Sequence, residues 1–394
     1  MIYLDNAGTT LVSEKVKNAM LPYFDEIYGN ASSLHTAGQI AKEKLESARE
    51  AVARCIGAEP KEIYFTSGGS ESDNWAIESA CKYGLIKGKK HIITSAFEHH
   101  AILNTLKEKE KQGFEVTYLP VYENGIIKVK DLENAIREDT CLVTIMYANN
   151  EIGTIQPIKE IGEICKNAHI PFHTDAVQAA SHVSINVKDQ NIDMMSISGH
   201  KFHAPKGVGV LYCNKSTPLF SFINGGGQER NKRAGTENLA GIIGLSVALE
   251  DAVNEMKWVA EKESKLRDKL FTNLSKIPHS KINGDVINRL PNNFNMSFEG
   301  IEGESLLLLL DDKGICASSG SACTSGSLDP SHVLLAIGLP HEIAHGSLRL
   351  TLSKYTTEKE IDETIKAVPE VVEYLRSISP VWDKLKKGEI KHVI

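Results

Sequence analysis

The feature that most constrains the fold is a repeated alternation of short apolar stretches with amphipathic helical stretches. Six stretches read as short buried strands, at 92–95, 116–120, 142–148, 171–175, 194–198 and 209–213. Helical patterns lie between several of them, for example at 158–168, where the apolar residues recur on one face. This alternation predicts an α/β fold with a mainly parallel central sheet, in which ligands bind beyond the carboxyl ends of the strands.

The pattern changes near residue 258. A long charged helix is expected over 258–274, and further strands and helices follow at 295–298, 304–312, 348–352 and 357–377. We therefore predict a large domain over 15–257 and a smaller α+β domain formed by 1–14 and 258–394. The smaller domain carries a Gly/Ser-rich loop at about 318–327. A chain of 394 residues is long enough for two such domains.

Charge and hydrophobicity exclude several classes of function. The 44 Lys and Arg against 51 Asp and Glu give a net charge of −7, which argues against nucleic acid as a partner. The longest aliphatic run, 306–310, is far shorter than the ~20 residues of a membrane helix. No hydrophobic signal core follows Met1, which predicts a cytoplasmic protein. The 7 cysteines are odd in number and lack C-x-x-C spacing, so we expect free thiols rather than disulfides or a zinc site.

Three segments carry candidate chemistry. TSGGSES at 66–72 can expose backbone N–H groups to an anion, although a simple N-capping turn would look the same. Asp175 ends a strand in TDAVQ, where it could bind a metal, act as a base, pair with a ring nitrogen or cap a helix. Lys201 follows a strand in SGHKFHAP, and a desolvated lysine can form a Schiff base. A phosphate cradle, a strand-end aspartate and a strand-end lysine are together what pyridoxal 5′-phosphate requires.

With these motifs the sequence resembles the fold-type I pyridoxal-phosphate enzymes, from YLDNAGTT at Tyr3 to SPVW at Ser379. More narrowly, it is similar to cysteine desulfurases of the NifS/IscS type. The resemblance implies pyridoxal 5′-phosphate as the cofactor and Lys201 as the Schiff-base residue. It also implies cofactor contacts from Gly69, Ser70, His99, Asn150, Asp175, Gln178, Ser198 and His200.

The resemblance gives several of these residues particular roles. His99 would stack on the cofactor ring, Asp175 would pair with the pyridine nitrogen, and Gln178 would bind the ring hydroxyl. His100 has no assigned role and is expected to be structural. Thr236, in GGGQERNKRAGTEN, would reach the phosphate of the neighbouring subunit, which implies a homodimer.

Two residues are expected to bind the substrate. Arg349, in LRLTLSKYTTEKEID, would bind the substrate carboxylate, a task that suits a guanidinium fork. Asn150, in ANNEIGTIQP, would lie near both cofactor and substrate.

The discriminating motif is SSGSACTSGS at 318–327, which contains Cys323. Glycines and serines give such a loop mobility, and a thiol becomes nucleophilic when it ionises. The long loop resembles that of group I desulfurases, which implies conversion of L-cysteine to L-alanine by Lys201, His99 and Cys323. Cys323 would hold the sulfur as a persulfide and deliver it to an iron–sulfur scaffold or a sulfur-relay protein. The other six cysteines, including Cys316, are expected to be core or incidental thiols.

Some alternatives and departures from the family pattern remain. Another pyridoxal-phosphate activity, such as an aminotransferase or selenocysteine lyase, and a catalytically silent scaffold both stay open. The chain departs from the family pattern at Ala7-Gly8 and in its cradle, Gly68-Gly69-Ser70-Glu71-Ser72. The tail SPVWDKLKKGE, with Trp382, could dock a scaffold protein or be an ordinary solvated tail.

Overall fold

The structure is a computed structural model that describes residues 1–319 and 330–394. Its central sheet has the strand order β2-β8-β7-β6-β5-β3-β4. The strands are β2 (Ile63–Thr66), β3 (His91–Ser95), β4 (Glu115–Leu119), β5 (Thr140–Thr144), β6 (Phe172–Asp175), β7 (Met194–Ser198) and β8 (Gly209–Cys213). Only β8 runs antiparallel to its neighbours within this sheet. The prediction of a mainly parallel central sheet is therefore confirmed.

Both faces of this sheet are covered, which explains why its strands are apolar along their whole length. Ile92 and Met194 pack in one hydrophobic cluster, whereas their chain neighbours Ile93 and Met195 pack in another on the opposite face. The covering helices are α1 (Glu14–Met20), α2 (Pro22–Asp25), α3 (Thr36–Ile56), α4 (Gly69–Ile86), α5 (His100–Lys111), α6 (Val129–Ala135) and α7 (Ile158–Asn167).

A second hydrophobic core surrounds a three-stranded antiparallel sheet of order β12-β10-β9. A two-stranded parallel pair, β1 and β11, lies beside it. The elements of this part are β1 (Ile2–Tyr3), β9 (Ser280–Ile282), β10 (Asn293–Phe298), α10 (Gly303–Asp312), β11 (Ile315–Cys316), β12 (Ser347–Thr351) and α13 (Glu358–Ile378). The short helices α11 (His332–Ala336) and α12 (His341–His345) precede β12 in the chain, and their buried side chains pack in the first core. The division into two domains stays a prediction.

One long helix contributes to both cores. After the short α8 (Gln228–Asn231), α9 runs without a break over Leu239–Leu274. The expectation that this helix starts near residue 258 is wrong, because its first half is apolar and packs against α3 and α1 rather than showing a charged face. Leu245 lies in the first core and Leu270 in the second, so the predicted boundary at 257/258 falls inside a continuous helix.

The C-terminal tail is packed against the rest of the chain. A last helix, α14 (Pro380–Lys386), is capped by Ser379 and buries Trp382 and Leu385. The Arg376 guanidinium lies 4.0 Å from the centre of the Trp382 ring. Trp382 is therefore not presented on a freely solvated tail. Among the helices of the described chain, none combines the length and apolar character needed to span a bilayer.

Candidate active site

A cavity of about 290 Å³ opens at the carboxyl edge of the central sheet. Segments that follow β2, β3, β5, β6 and β7 form its wall, together with the N-terminal segment and β12. This is the edge at which α/β sheets bind ligands. The predicted residues on the wall are Gly69, Ser70, His99, Asn150, Asp175, Gln178, Ser198, His200, Lys201 and Arg349.

The first turn of α4 forms the part of the wall that is suited to an anion. No side chain of the described residues caps this helix at Gly68, so its first N–H groups are open to a ligand. A Cβ on Gly69 would lie 2.7 Å from Cγ2 of Val177, so glycine is required for this close approach of helix and strand end. An uncapped helix N-terminus beside the hydroxyls of Ser70 and Ser198 can bind a phosphate group.

Asp175 is one of three acidic residues on the wall of the cavity. It ends β6, and its Oδ1 accepts the N–H of Val177 at 2.9 Å. Burial raises the pKa of Asp175, whereas the nearby His99, the Val177 N–H and Lys201 act in the opposite direction. A buried carboxylate facing a cavity is suited to a cationic ring nitrogen.

His99 reaches the cavity because its neighbour Glu98 turns into the core. The Glu98 carboxyl accepts the N–H of Met146 with both oxygens, at 2.9 and 3.0 Å. His99 then caps α5, where its Nδ1 accepts the N–H of Ala101 at 3.1 Å. Burial lowers the pKa of His99, so the ring is neutral and carries its proton on Nε2.

Lys201 lies at the end of a short helical turn, Gly199–Lys201, directly after β7. Its Nζ donates hydrogen bonds to the carbonyl oxygens of Ala7 and Gly8, at 2.6 and 2.8 Å. The Gln178 side chain also donates to the Ala7 carbonyl, at 3.0 Å. The N-terminal segment therefore holds the lysine and the glutamine in place from one side.

Arg349 supplies the cationic fork of the cavity. It lies on β12 and is 2% exposed. Its Nη1 donates to the carbonyl of Asn150 at 3.2 Å, and its Nη2 donates to Oδ1 of Asp5 at 2.9 Å. A fork fixed at two points can bind a carboxylate in a defined orientation.

Four titratable wall residues lie outside the predicted cofactor and substrate set: Asp73, His100, Glu151 and His332. Burial and the Asp175 charge raise the pKa of Asp73, and burial raises the pKa of Glu151 to about 7. His100, which was expected to be structural, has its ring centre 4.7 Å from that of His332. In the sequence, Asp73 could have been assigned to the site from its position one helical turn after Gly69. Glu151 could have been assigned to it as the one acidic residue of the segment NNEIGTI.

Two predicted residues are not part of the described cavity. Thr236 is exposed and away from its wall. Cys323 lies outside the described residues. Six other cysteines are free: Cys55, Cys81, Cys141, Cys165, Cys213 and Cys316. Burial raises the pKa of every one of these thiols, for example to about 11 in Cys55 and about 12 in Cys141 and Cys213. Each is therefore a poor nucleophile at neutral pH.

Known proteins resemble the chain over nearly its whole length. Residues 2–364 match the aminotransferase class-V family. The cysteine desulfurase IscS of Clostridium botulinum (strain Hall) is 54% identical over 391 residues, covering 98% of each chain. The corresponding protein of Methanosarcina thermophila is 55% identical and covers 97% of this chain and 95% of its own.

Solved structures show the same likeness. One described as a NifS-like protein superposes with a TM-score of 0.89 at 40% identity, covering 95% of this chain and all of its own. One described as SspA in complex with cysteine has a TM-score of 0.80 at 38% identity, covering 91% of this chain and all of its own. The chain therefore belongs to the aminotransferase class-V family, and within it to the cysteine desulfurases of the NifS/IscS type, which share the fold-type I architecture.

Proposed function

We propose that the protein is a pyridoxal-phosphate-dependent cysteine desulfurase that converts L-cysteine to L-alanine and keeps the sulfur on Cys323 as a persulfide. The observation that carries this proposal is one cavity that joins Lys201, Asp175, His99 and Arg349. Two relatives carry the name cysteine desulfurase, and one similar structure is described as holding cysteine, which supports the same substrate here.

The residues of the cavity fit pyridoxal 5′-phosphate. The uncapped first turn of α4, with the space that Gly69 leaves, suits the phosphate group. The buried Asp175 carboxylate suits the protonated pyridine nitrogen, and Lys201 is the amine that would hold the cofactor. When bound, the cofactor supplies an electron sink for bonds to the substrate α-carbon.

Other side chains of the cavity would bind the substrate and transfer protons. Arg349 would bind the substrate carboxylate, and Asn150, next to it, would help to fix its orientation. Lys201 Nζ would move a proton at the substrate α-carbon. His99, neutral with its proton on Nε2, would exchange a proton with the substrate sulfur.

Cys323 would receive the sulfur. Described residues on either side of the segment that contains it contact residues of the cavity wall. Ser318 pairs by backbone hydrogen bonds with Arg349, and the Ser331 hydroxyl hydrogen-bonds the wall residue Glu151. In the overall reaction the carbon–sulfur bond of L-cysteine breaks and a sulfur–sulfur bond forms at Cys323. The Cys323 thiol loses its hydrogen, and the carbon that carried the sulfur gains one to become the methyl group of alanine.

The proposal includes two protein partners, a second copy of the chain and a protein that accepts the sulfur. Thr236 is exposed and lies outside the cavity of its own chain, which suits a contact with the phosphate of the neighbouring subunit in a homodimer. The persulfide would pass to an iron–sulfur scaffold or a sulfur-relay protein. The reaction needs a reduced Cys323 thiol, so we place it in the reducing cytoplasm.

Mass spectrometry of the purified holoenzyme after addition of L-cysteine tests the proposal. We expect a mass increase of one sulfur atom on the peptide that contains Cys323, together with stoichiometric alanine. Keto-acid-dependent loss of the amino group with no added sulfur would instead identify an aminotransferase. A colourless protein that binds no cofactor would identify a silent scaffold.

A further inference from the structure

Gly8 leaves space for the side chain of Asp5. A Cβ built on Gly8 would lie 2.6 Å from Oδ2 of Asp5 and 3.1 Å from its Cγ. Real Cβ contacts are not found at the shorter of these distances, so the Asp5 carboxylate could not keep this position beside a larger residue. The backbone oxygen of Asp5 lies 3.2 Å from the same point, which is also a tight contact, but the carboxylate is the nearer group and would have to move furthest.

The carboxylate admitted in this way is the one that binds Arg349. Oδ1 of Asp5 accepts a hydrogen bond from Nη2 of Arg349 at 2.9 Å, and the Arg349 side chain is only 3% exposed. Gly8 and Arg349 both line the cavity at the carboxyl edge of the central sheet, whereas Asp5 does not. Asp5 therefore binds the guanidinium from outside the cavity and leaves the cavity side of the fork to a ligand.

The second fixed point of the fork is the carbonyl of Asn150, which accepts from Nη1. Asp5 and Asn150 thus hold one terminal nitrogen each, and each of these nitrogens has a second N–H. Among the described residues, Nε of Arg349 has no hydrogen-bond partner. The guanidinium has donors left for a bidentate carboxylate, and its plane is set before the ligand arrives.

We propose that Asp5 is a positioning residue that orients Arg349 for the carboxylate of an amino-acid substrate, and that glycine at position 8 admits Asp5 to this task. The proposal rests on the proposed function, since it assigns the substrate carboxylate to Arg349. It gives the Ala7-Gly8 departure a physical role in substrate recognition.

Steady-state kinetics test the role of the pair. Asp5→Asn and Gly8→Ala should each raise KM for L-cysteine about 5- to 10-fold, with kcat changed less than about 2-fold, because ground-state binding is weakened. L-alanine and ethylamine, which differ by the carboxylate, serve as competing ligands. The inhibition constant of L-alanine should rise by the same factor, while that of ethylamine stays constant. A merely structural role of Asp5 would shift both constants or neither.

The effect of Gly8→Ala has an internal control. In an Asp5→Ala background no carboxylate remains to be displaced, so Gly8→Ala should raise KM by less than about 2-fold further. Equal effects of Gly8→Ala in the two backgrounds would overturn the proposed link, because they would show that residue 8 acts on the cavity directly.

Unfolding of the apoprotein supplies a readout without catalysis. Asp5→Asn, Arg349→Met and the double variant should be non-additive in their unfolding midpoints, and Gly8→Ala should abolish that non-additivity. Additive midpoints together with unchanged KM values would refute the inference. If the holoenzyme leaves L-cysteine intact while the unfolding midpoints still show coupling, the proposed function fails and the Asp5–Arg349 contact stands without the role in substrate binding.

Discussion

Ser318 and Arg349 exchange two backbone hydrogen bonds, from the N–H of each to the carbonyl of the other, at 3.1 and 2.7 Å. The strand that presents the cationic fork to the cavity therefore also fixes the chain just before segment 320–329. On the far side of that segment, the Ser331 hydroxyl binds the Glu151 carboxyl on the cavity wall. Described residues on both sides of the segment therefore contact the cavity-wall residues Arg349 and Glu151.

Replacement of Cys323 by serine tests the sulfur acceptor. A serine hydroxyl is a far weaker nucleophile toward sulfur than a thiolate, so Cys323→Ser should lower alanine formation from L-cysteine by at least about 100-fold. The visible absorbance of the bound cofactor should stay unchanged, because no cofactor contact is removed. Alanine release and the absorption spectrum of the purified variant measure the two effects.

Cys316→Ser is the matched control for this variant. Cys316 is a half-buried thiol on β11, seven residues before Cys323, and burial raises its pKa. The control should keep its alanine formation within about 2-fold of the parent value, since no reaction step is assigned to it. Equal losses in the two variants would show that the region matters for folding rather than for sulfur transfer.

The central sheet could be predicted closely from the sequence. Met194–Ser198 and Gly209–Cys213 have the predicted bounds, because both are apolar runs with both faces buried. The strand expected over 142–148 is instead Thr140–Thr144, since the chain leaves the ladder to form the cavity wall at Met146 and Ala148. A buried apolar segment that lines a ligand site has the same sequence pattern as a continuation of the strand before it.

The relations between distant segments could not be predicted. Asp5 and Arg349 are far apart in sequence, and they are brought together by the pairing of β1 with β11 and by hydrogen bonds between the N-terminal segment and Thr351 on β12. Asp73 looked like an ordinary helix residue until the sheet placed it against Asp175. Local patterns predict elements, whereas these contacts depend on how the two cores meet.

Replacement of Lys201 by alanine tests whether this residue holds the cofactor. Lys201→Ala should lose the visible absorbance of the purified protein and lower turnover by at least about 1,000-fold, because the only amine assigned to the cofactor is gone. Lys206→Ala is the control, since Lys206 is exposed and five positions further along the same turn region. An unchanged absorption band in Lys201→Ala would refute the assignment.

Replacement of Thr236 by alanine tests the contribution of the neighbouring subunit. If Thr236 donates to the phosphate across a dimer interface, Thr236→Ala should weaken cofactor binding by about 10-fold, the loss of one hydrogen bond to a charged group. Equilibrium dialysis gives the dissociation constant, and sedimentation velocity should show a dimer for both proteins. Thr272→Ala, an exposed threonine on α9, is the control. A monomeric parent protein would rule out the contact.

A buried glutamate on α9 should make stability depend on pH. The Glu263 side chain is 1% exposed, and its Oε2 has no hydrogen-bond partner among the described residues. The nearest ring nitrogen is Nε2 of His182, at 3.9 Å. Nδ1 of His182 lies 3.0 Å from both the Gln178 carbonyl and the Ser181 hydroxyl. In the tautomer that donates from Nδ1 to the carbonyl, Nε2 is an acceptor. A protonated Glu263 carboxyl is compatible with these buried surroundings, whereas a charged carboxylate there would have no hydrogen-bond donor for Oε2 among the described residues.

Glu263→Gln should therefore stabilise the protein at alkaline pH. Burial raises the pKa of Glu263 to about 8, against about 4.3 in an unfolded chain. As pH rises between these values only the unfolded state loses the proton, so the parent protein loses stability up to about pH 8. The variant lacks this loss and should gain about 2–4 kcal/mol in its free energy of unfolding at pH 8 and little at pH 5.

Denaturant unfolding of parent and variant across this pH range measures the difference, and the exposed Glu261→Gln on the same helix is the control. Other buried acids, such as Glu98, contribute equally to parent and variant and cancel in the difference. A difference that is constant with pH would show that Glu263 is ionised in the folded protein, with the charges of Lys262 and Arg267 outweighing the effect of burial.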